Sequence, residues 1–322
     1  MLTKFKKILI RYKKTILVIA VCLLILITMN VFSKTQKVES GQDNKLAPPS
    51  SLKKTIKENA VKYHPKFDWL TKNPYEMTLT AESAIAIDQN TGQVLYAKNV
   101  HKKLPPASIT KVLTLITVLE NMKTDKLCTV SQRAADTQPN KIVMKPGEKM
   151  KVDDLLYGLT MISANDAAEV LAECYDGGRD KFIAKMNDKI KMLGLSDSIF
   201  KDPNGLNDVD QVSSAYDLGT VTRYGLLTQP SFLEHLGKKG DYSVYPSDHN
   251  ESHSWYQISN LLSTYPGMVG AKTGYTYIAK NTYIGIAKRD GREIIIVYFA
   301  AQTTTSDATA LLDYGFSVKP NI

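Results

Sequence analysis

The chain has 322 residues, 43% of them hydrophobic and 23% charged, which excludes a disordered or collagen-like polymer and leaves room for one large domain or two modest ones. Its formal charge of +9 would suit a nucleic-acid partner, but seven Lys and Arg side chains and no acid fall within residues 1–34. The remainder is nearly neutral, so the basic character speaks for a membrane surface and against nucleic acid.

In chain order, residues 1–14 form a basic segment expected on the cytoplasmic side. Thr15 to Phe32 is an 18-residue run without charge. As a helix it would be about 27 Å long, enough to span a bilayer with Lys13, Lys14 and Lys34 snorkelling at its ends. The length of the run and the lack of an Ala-x-Ala site favour an uncleaved transmembrane anchor at 15–33 over a signal peptide. Residues 34–75 are polar, with Pro48-Pro49 in the middle, and read as an extracytoplasmic linker (a short helix around Leu52 to Val61 is compatible). A folded domain is expected over 76–322, with its first core residues near Leu79. Ala84–Asp88 and Gln93–Tyr96 flank Gln89-Asn-Thr-Gly92 and predict a β-hairpin. After Pro105-Pro106 an apolar helix runs from Ser108 through Leu119. Asp153 to Glu173 reads as one or two helices, with Ser163-Ala-Asn165 near a junction. Further helices are expected over Arg179–Leu193, ended by Gly194, and over Ser214–Leu227. The tail returns to strands at Asn281–Ala287 and Glu293–Ala300, with a turn at Asp290-Gly291, and closes with a helix over Ser306–Tyr314. The order predicts an α+β fold: an antiparallel sheet packed with helices, plus a helical subdomain.

Cys128 and Cys174 are far apart in sequence and are read as buried free thiols, although an oxidising compartment would let them pair. His249 and His253 are four apart, but their Ser/Asp/Asn-rich setting reads as a polar loop rather than a zinc helix. No metal or cofactor is expected.

Three short motifs carry chemistry. Ser108-Ile-Thr-Lys111 sets a hydroxyl and an amine on one helix face. Ser163-Ala-Asn165 adds a second hydroxyl and an amide. Lys272-Thr273-Gly274 on a strand edge adds a cation, a hydroxyl and bare backbone. Taken singly they are weak: Ser-x-x-Lys also occurs at Ser50/Lys53 and Ser198/Lys201, and Ser108 alone could be a helix N-cap. Taken in this order, they describe a serine acyl-transfer site that needs no histidine. Ser108 is the expected nucleophile and Lys111 its general base. Ser163 is the expected proton relay, and Asn165 orients Lys111 and the substrate. Lys272, Thr273 and Gly274 receive the substrate's carboxylate and backbone. A neutral Lys111 requires a depressed pKa, and the charge of Lys272 is expected to contribute more to this than burial or the helix N-terminus.

Pro105-Pro-Ala-Ser-Ile-Thr-Lys111, Asp202-Pro-Asn-Gly-Leu206, Ser213-Ser-Ala-Tyr-Asp217 and Gly270-Ala-Lys-Thr-Gly-Tyr-Thr276 together resemble the serine D-alanyl-D-alanine carboxypeptidases, low-molecular-mass penicillin-binding proteins. The resemblance covers about Leu79 to Gly315. It implies a penicillin-recognising, β-lactamase-like transpeptidase fold for 76–322. It also implies action on peptidoglycan stem peptides, inhibition by β-lactam antibiotics, and an oxyanion hole made by the backbone N–H groups of Ser108 and Tyr275. Gln211 stands where the family often has histidine, and Lys280 where glycine is usual. Larger members carry a C-terminal β-domain and an amphipathic anchor, and neither is expected before Ile322. A β-lactamase shares the motifs but commonly uses a glutamate before Lys-Thr-Gly to speed deacylation, and Asp202–Asp217 contains none.

Overall fold

A computed structural model describes residues 60–207, 209–245 and 251–319. The proposed anchor, the basic segment and the linker up to residue 59 lie outside them. The elements run α1 (Asp68–Lys72), β1 (Ser83–Asp88), β2 (Val94–Lys98), a 3-10 turn (Ala107–Thr110), α2 (Lys111–Asn121), β3 (Leu127–Thr129), α3 (Gln132–Ala135), β4 (Lys149–Lys151) and α4 (Val152–Met161). There follow α5 (Asn165–Cys174), α6 (Gly178–Met192), α7 (Ala215–Thr228), α8 (Phe232–Leu236), β5 (Asp241–Val244), β6 (His253–Tyr256) and α9 (Asn260–Thr264). The chain closes on β7 (Met268–Thr276), β8 (Lys280–Arg289), β9 (Arg292–Ala301) and α10 (Thr305–Ser317).

The main sheet is antiparallel, in the order β2-β1-β9-β8-β7. Its middle strands are apolar on both faces because both faces are covered. Ile85, Ile87, Ile284, Ile286, Ile295, Val297 and Phe299 point into the core shared with the helical subdomain. Their alternates Ala84, Ala86, Tyr283, Ile294, Ile296 and Tyr298 point into a second core under α9 and α10. A period of two inside a continuous apolar run is what a sheet between two layers requires. β7 is left at the edge, where backbone groups remain open to a further strand.

Three expectations change, and the choice between one helix and two over Asp153–Glu173 is decided. The folded region begins before residue 76. Tyr63 is buried with its ring edge-on to Tyr224 at 4.8 Å, His64 bonds the Tyr216 hydroxyl at 2.7 Å and the Leu193 carbonyl at 2.6 Å, and Lys66 bridges to Gln93. The final part of the expected linker therefore belongs to the domain. The stretch Asp153–Glu173 is two helices, broken at Ser163, whose φ of 60° no helix continues. His253 is not in a loop: it opens β6, is buried, and bonds Glu148 at 2.9 Å.

The cysteines pair, against the expectation of free thiols. β3 buries Cys128, α5 ends at Cys174 beside it, and their Cα atoms are 5.5 Å apart across the disulfide. A closed loop of sequence separation 46 lies between the cases of 15 and 100 residues, for which chain entropy gives about 3 and about 4.7 kcal/mol. Replacing both cysteines by alanine is expected to destabilise the domain by a few kcal/mol, read as a lower urea midpoint. An unchanged midpoint would show that the bridge contributes nothing.

Candidate active site

The site is built where the 3-10 turn, the α4–α5 junction, the Asp202–Leu206 loop and the edge strand β7 converge. Ala107 has φ of 48°, an uncommon conformation for a residue with a side chain. It turns the chain so that Ser108 precedes, rather than caps, α2: the cap position belongs to Thr110, and no side chain caps the helix. The N-cap reading of Ser108 is thereby excluded.

Lys111, the first residue of α2, is fully buried. Its Nζ lies 2.9 Å from Ser108 Oγ, 2.8 Å from Asn165 Oδ1 and 2.7 Å from the Asn204 carbonyl. Asn165 Nδ2 donates to the Gln138 carbonyl at 3.0 Å, which fixes the amide so that Oδ1 faces the lysine. Two of the three contacts are therefore pure acceptors and commit two N–H groups of Lys111. The third position faces the Ser108 hydroxyl, where a neutral amine presents its lone pair.

Burial pulls the Lys111 amine down from 10.5 to about 7, against the opposing pull of Asp202, Glu169 and Asp166. Lys272 is also fully buried and lies well below its ordinary value, first through burial and then through the charge of Lys111. The expected ranking is thus corrected: desolvation dominates at Lys111.

Ser163 is buried in the left-handed junction, and its Oγ has no hydrogen-bond partner. A buried, unpaired hydroxyl held in a strained conformation is costly unless something else binds it. Together with Ser108 and Asn165 it lines a cavity of about 610 Å³, whose other walls include Leu206, Ile258–Leu261, Thr273–Tyr275 and Tyr283. Lys272 sits beneath this wall, its Nζ donating to the Thr273 carbonyl at 2.7 Å. Gly274 has a further role beside the one expected of it: a Cβ there would lie 2.4 Å from Thr282 Oγ1 and 2.9 Å from Ser108 N. It lets β7 press against the backbone of Ser108, as well as leaving the strand edge bare.

Sequence reasoning assigned no role to Asn204, Gly205, Gln211 or Thr282. Asn204 acts through its carbonyl, which leaves no side-chain signature. Gln211 Oε1 accepts from the backbone N–H groups of Lys201 and Asp202, and its Nε2 donates to Thr110 Oγ1 at 3.0 Å. It ties the loop to the Ala107–Thr110 turn. Thr282 Oγ1 donates to the Pro106 carbonyl at 2.9 Å, anchoring the same turn from β8. Lys280 has φ of 58°, in the region that glycine adopts most readily, and its amine stands 4.7 Å from the centre of the Tyr277 ring.

The family model described as D-alanyl-D-alanine carboxypeptidase matches residues 70–303. The chain belongs to this family. Among curated relatives of these carboxypeptidases, DacF of Bacillus subtilis is 36% identical over 255 residues, covering 76% of this chain and 64% of DacF. DacB2 of Mycobacterium tuberculosis is 35% identical over 250 residues, covering 74% of this chain and 84% of DacB2. The chain thus spans just under two thirds of the DacF relative. Among solved structures, the D-alanyl-D-alanine carboxypeptidase of M. tuberculosis aligns with a TM-score of 0.70 at 31% identity, over 77% of this chain and 94% of the other. The Streptomyces K15 DD-transpeptidase aligns at 0.71 and 28% identity, over 76% of this chain and all of the other.

Proposed function

We propose that this member of the carboxypeptidase family removes the terminal D-alanine from peptidoglycan pentapeptides through a Ser108 acyl-enzyme. The observation that carries the reading is the Lys111 amine 2.9 Å from Ser108 Oγ with its other contacts committed to acceptors. Ser108 Oγ attacks the carbonyl between the two D-alanines, and its proton passes to Lys111. Ser163 Oγ relays that proton to the leaving nitrogen as the C–N bond breaks, which gives its unpaired hydroxyl a partner. Asn165 orients Lys111 and bonds the substrate amide. The backbone N–H groups of Ser108 and Tyr275 receive the oxyanion; their proximity is supported by the 2.9 Å at which a Cβ added to Gly274 would stand from Ser108 N. Thr273 and Lys272 hold the terminal carboxylate, whose charge favours the ammonium form of the buried lysine. Water then takes the acyl group from Ser108.

The deciding measurement is incubation of the full-length protein with a fluorescent penicillin, alongside D-alanine release from a peptide ending D-Ala-D-Ala. Wild type forms a covalent adduct and releases D-alanine, and Ser108→Ala does neither. Labelling of Ser108→Ala at the wild-type level would overturn the reading.

Transfer to an amine in place of water is the second reading, favoured by the likeness to the Streptomyces K15 structure named a DD-transpeptidase. A product assay with an acceptor amine separates the two. Rapid β-lactam hydrolysis is disfavoured because the carboxylates closest in effect to Lys111 are occupied. Asp202 accepts from the backbone of Asn204, Gly205 and Asn207. Asp166 accepts from Ile142, Val143 and Ala167, and Glu169 is held by arginines.

The N-terminal charge pattern supports a single-pass anchor that leaves the catalytic domain outside the cell membrane, and the Cys128–Cys174 bridge suits an oxidising compartment. Among the described residues no helix is long and apolar enough to cross a membrane, so the anchor would be the run at 15–33. The full chain is expected to stay with membranes after alkaline extraction and to be released by deletion of residues 1–33. Release of the intact chain would refute the anchor.

A further inference from the structure

Behind the site, α5 carries a second functional-looking side chain one helical turn past Asn165. Glu169 is 3% exposed, and its carboxylate accepts hydrogen bonds from three side chains. Its Oε2 accepts from Arg133 Nη2 at 2.8 Å and Arg179 Nε at 2.7 Å. Its Oε1 accepts from Arg179 Nη2 at 3.2 Å and from Asn204 Nδ2 at 2.9 Å. Arg179 therefore grips the carboxylate with a two-pronged fork, and the remaining capacity is spent on Asn204.

Asn204 is the residue whose carbonyl holds Lys111. Its side chain is fixed at both ends, Nδ2 by Glu169 and Oδ1 by the Leu206 N–H at 3.0 Å. Its own N–H is held by Asp202 at 3.1 Å. With these groups pinned, the carbonyl has little freedom except to face the amine. α5 thus reaches Lys111 twice, directly through Asn165 Oδ1 and indirectly through Glu169 and Asn204.

We infer that Glu169, clamped by Arg133 and Arg179, is a positioning residue for the acylation step: it holds Asn204 so that the Asn204 carbonyl takes one N–H of Lys111 and leaves the amine's lone pair aimed at Ser108. The inference rests on Lys111 being the base. Arg133 is half-exposed and Arg179 a quarter exposed, whereas Glu169 is enclosed, so the charge of the cluster reaches the site chiefly through the carboxylate. The charged groups acting on Lys111 are Asp202, Glu169 and Asp166, which favour its cation, and Lys272, which is depressed by it. Removing the Glu169 charge therefore favours the neutral amine, and removing that of Arg133 does the reverse.

The test is the rate of Ser108 labelling by fluorescent penicillin, measured across pH on the full-length protein. Glu169→Ala is expected to lower the plateau rate at least tenfold with little change in the penicillin concentration giving half-maximal rate. Glu169→Gln moves the acid limb to lower pH, and Arg133→Met, at a half-exposed position, moves it to higher pH. In a double-mutant cycle, Glu169→Ala combined with Asn204→Ala is no slower than the slower single variant. A merely structural role would give additive losses and an unmoved limb, and either result would overturn the inference, as would a Glu169→Ala rate within twofold of wild type. Failure of the underlying assignment reads differently: Lys111→Ala itself would then label at the wild-type rate.

Discussion

Lys111→Ala is expected to slow acylation of Ser108 by about 10²–10⁴-fold, the usual worth of a positioned general base. The same substitution removes the acid limb of the pH profile, and the sign of that limb follows from the burial of Lys111. Burial disfavours the ammonium and brings the amine from 10.5 to about 7. Below about pH 7 Lys111 takes up a proton and cannot accept one from Ser108. The wild-type rate then falls toward tenfold per pH unit, while above that value the amine is neutral and the rate levels off. A lysine left at 10.5 would be neutral in only about one molecule in several thousand at pH 7, against roughly half here. The depression therefore supplies about three orders of magnitude in available base. Stopped labelling reactions between pH 5 and 9, with a thermal melt of each variant, measure both effects. A limb that persists unchanged in Lys111→Ala would assign the titration to another group and remove Lys111 from the base role.

The parts of this site that were legible in sequence are those whose chemistry sits in side chains at fixed local spacing. Ser108 and Lys111 are three apart, Ser163 and Asn165 two apart, and Lys272 to Gly274 contiguous, and the structure brings Ser108, Ser163, Asn165, Thr273 and Gly274 to one cavity. Lys111 lies beneath Ser108 rather than in the wall, and Lys272 likewise lies beneath Thr273, because burial depends on layers that no local pattern specifies. The same ignorance of burial led to the expectation that Lys272 would outweigh desolvation at Lys111. The hairpin, the long helices and the last strands were readable because their apolar periods are complete. β5 and β6 were not, since the exposed Ser243 and Ser254 alternate with Tyr242, Val244, His253 and Trp255, which only tertiary packing covers. The Cys128–Cys174 bridge depends on the end of α5 meeting β3, a long-range fact. Asn204 escaped notice because its contribution is a backbone carbonyl, and Glu169 because one acid on an amphipathic helix looks like solvent-facing charge.

Gly205→Ala is expected to be as damaging as loss of a catalytic side chain, although glycine has none to lose. Gly205 has φ of 89°, and a Cβ built on it would stand 1.9 Å from the Ala107 carbonyl oxygen, 2.4 Å from the Ala107 carbonyl carbon and 3.0 Å from Ser108 N. The obstruction is backbone, not the end of a flexible side chain, so either the Asp202–Leu206 loop or the Ala107–Thr110 turn must move. The loop cannot easily yield: Asp202 gathers the N–H groups of Asn204, Gly205 and Asn207, and Gln211 holds Asp202 and Lys201 from behind. The turn is no freer, with Pro106 tied to Thr282 and Ala107 already strained at φ of 48°. A shift of about 1 Å on either side separates Asn204 from Lys111 or misdirects Ser108, and misplacement on that scale can cost about 10²-fold. Gly194→Ala is the matched control. Its φ of 70° carries the same left-handed strain, yet nothing lies within 4 Å of the added Cβ, so it is expected to lose about 1–2 kcal/mol of stability and no activity. Melting and penicillin labelling of the two variants side by side separate strain from collision. Equal labelling rates in Gly205→Ala and Gly194→Ala would mean that the loop gives way without disturbing Lys111, and that its hold on the base is looser than the contacts around Asn204 indicate.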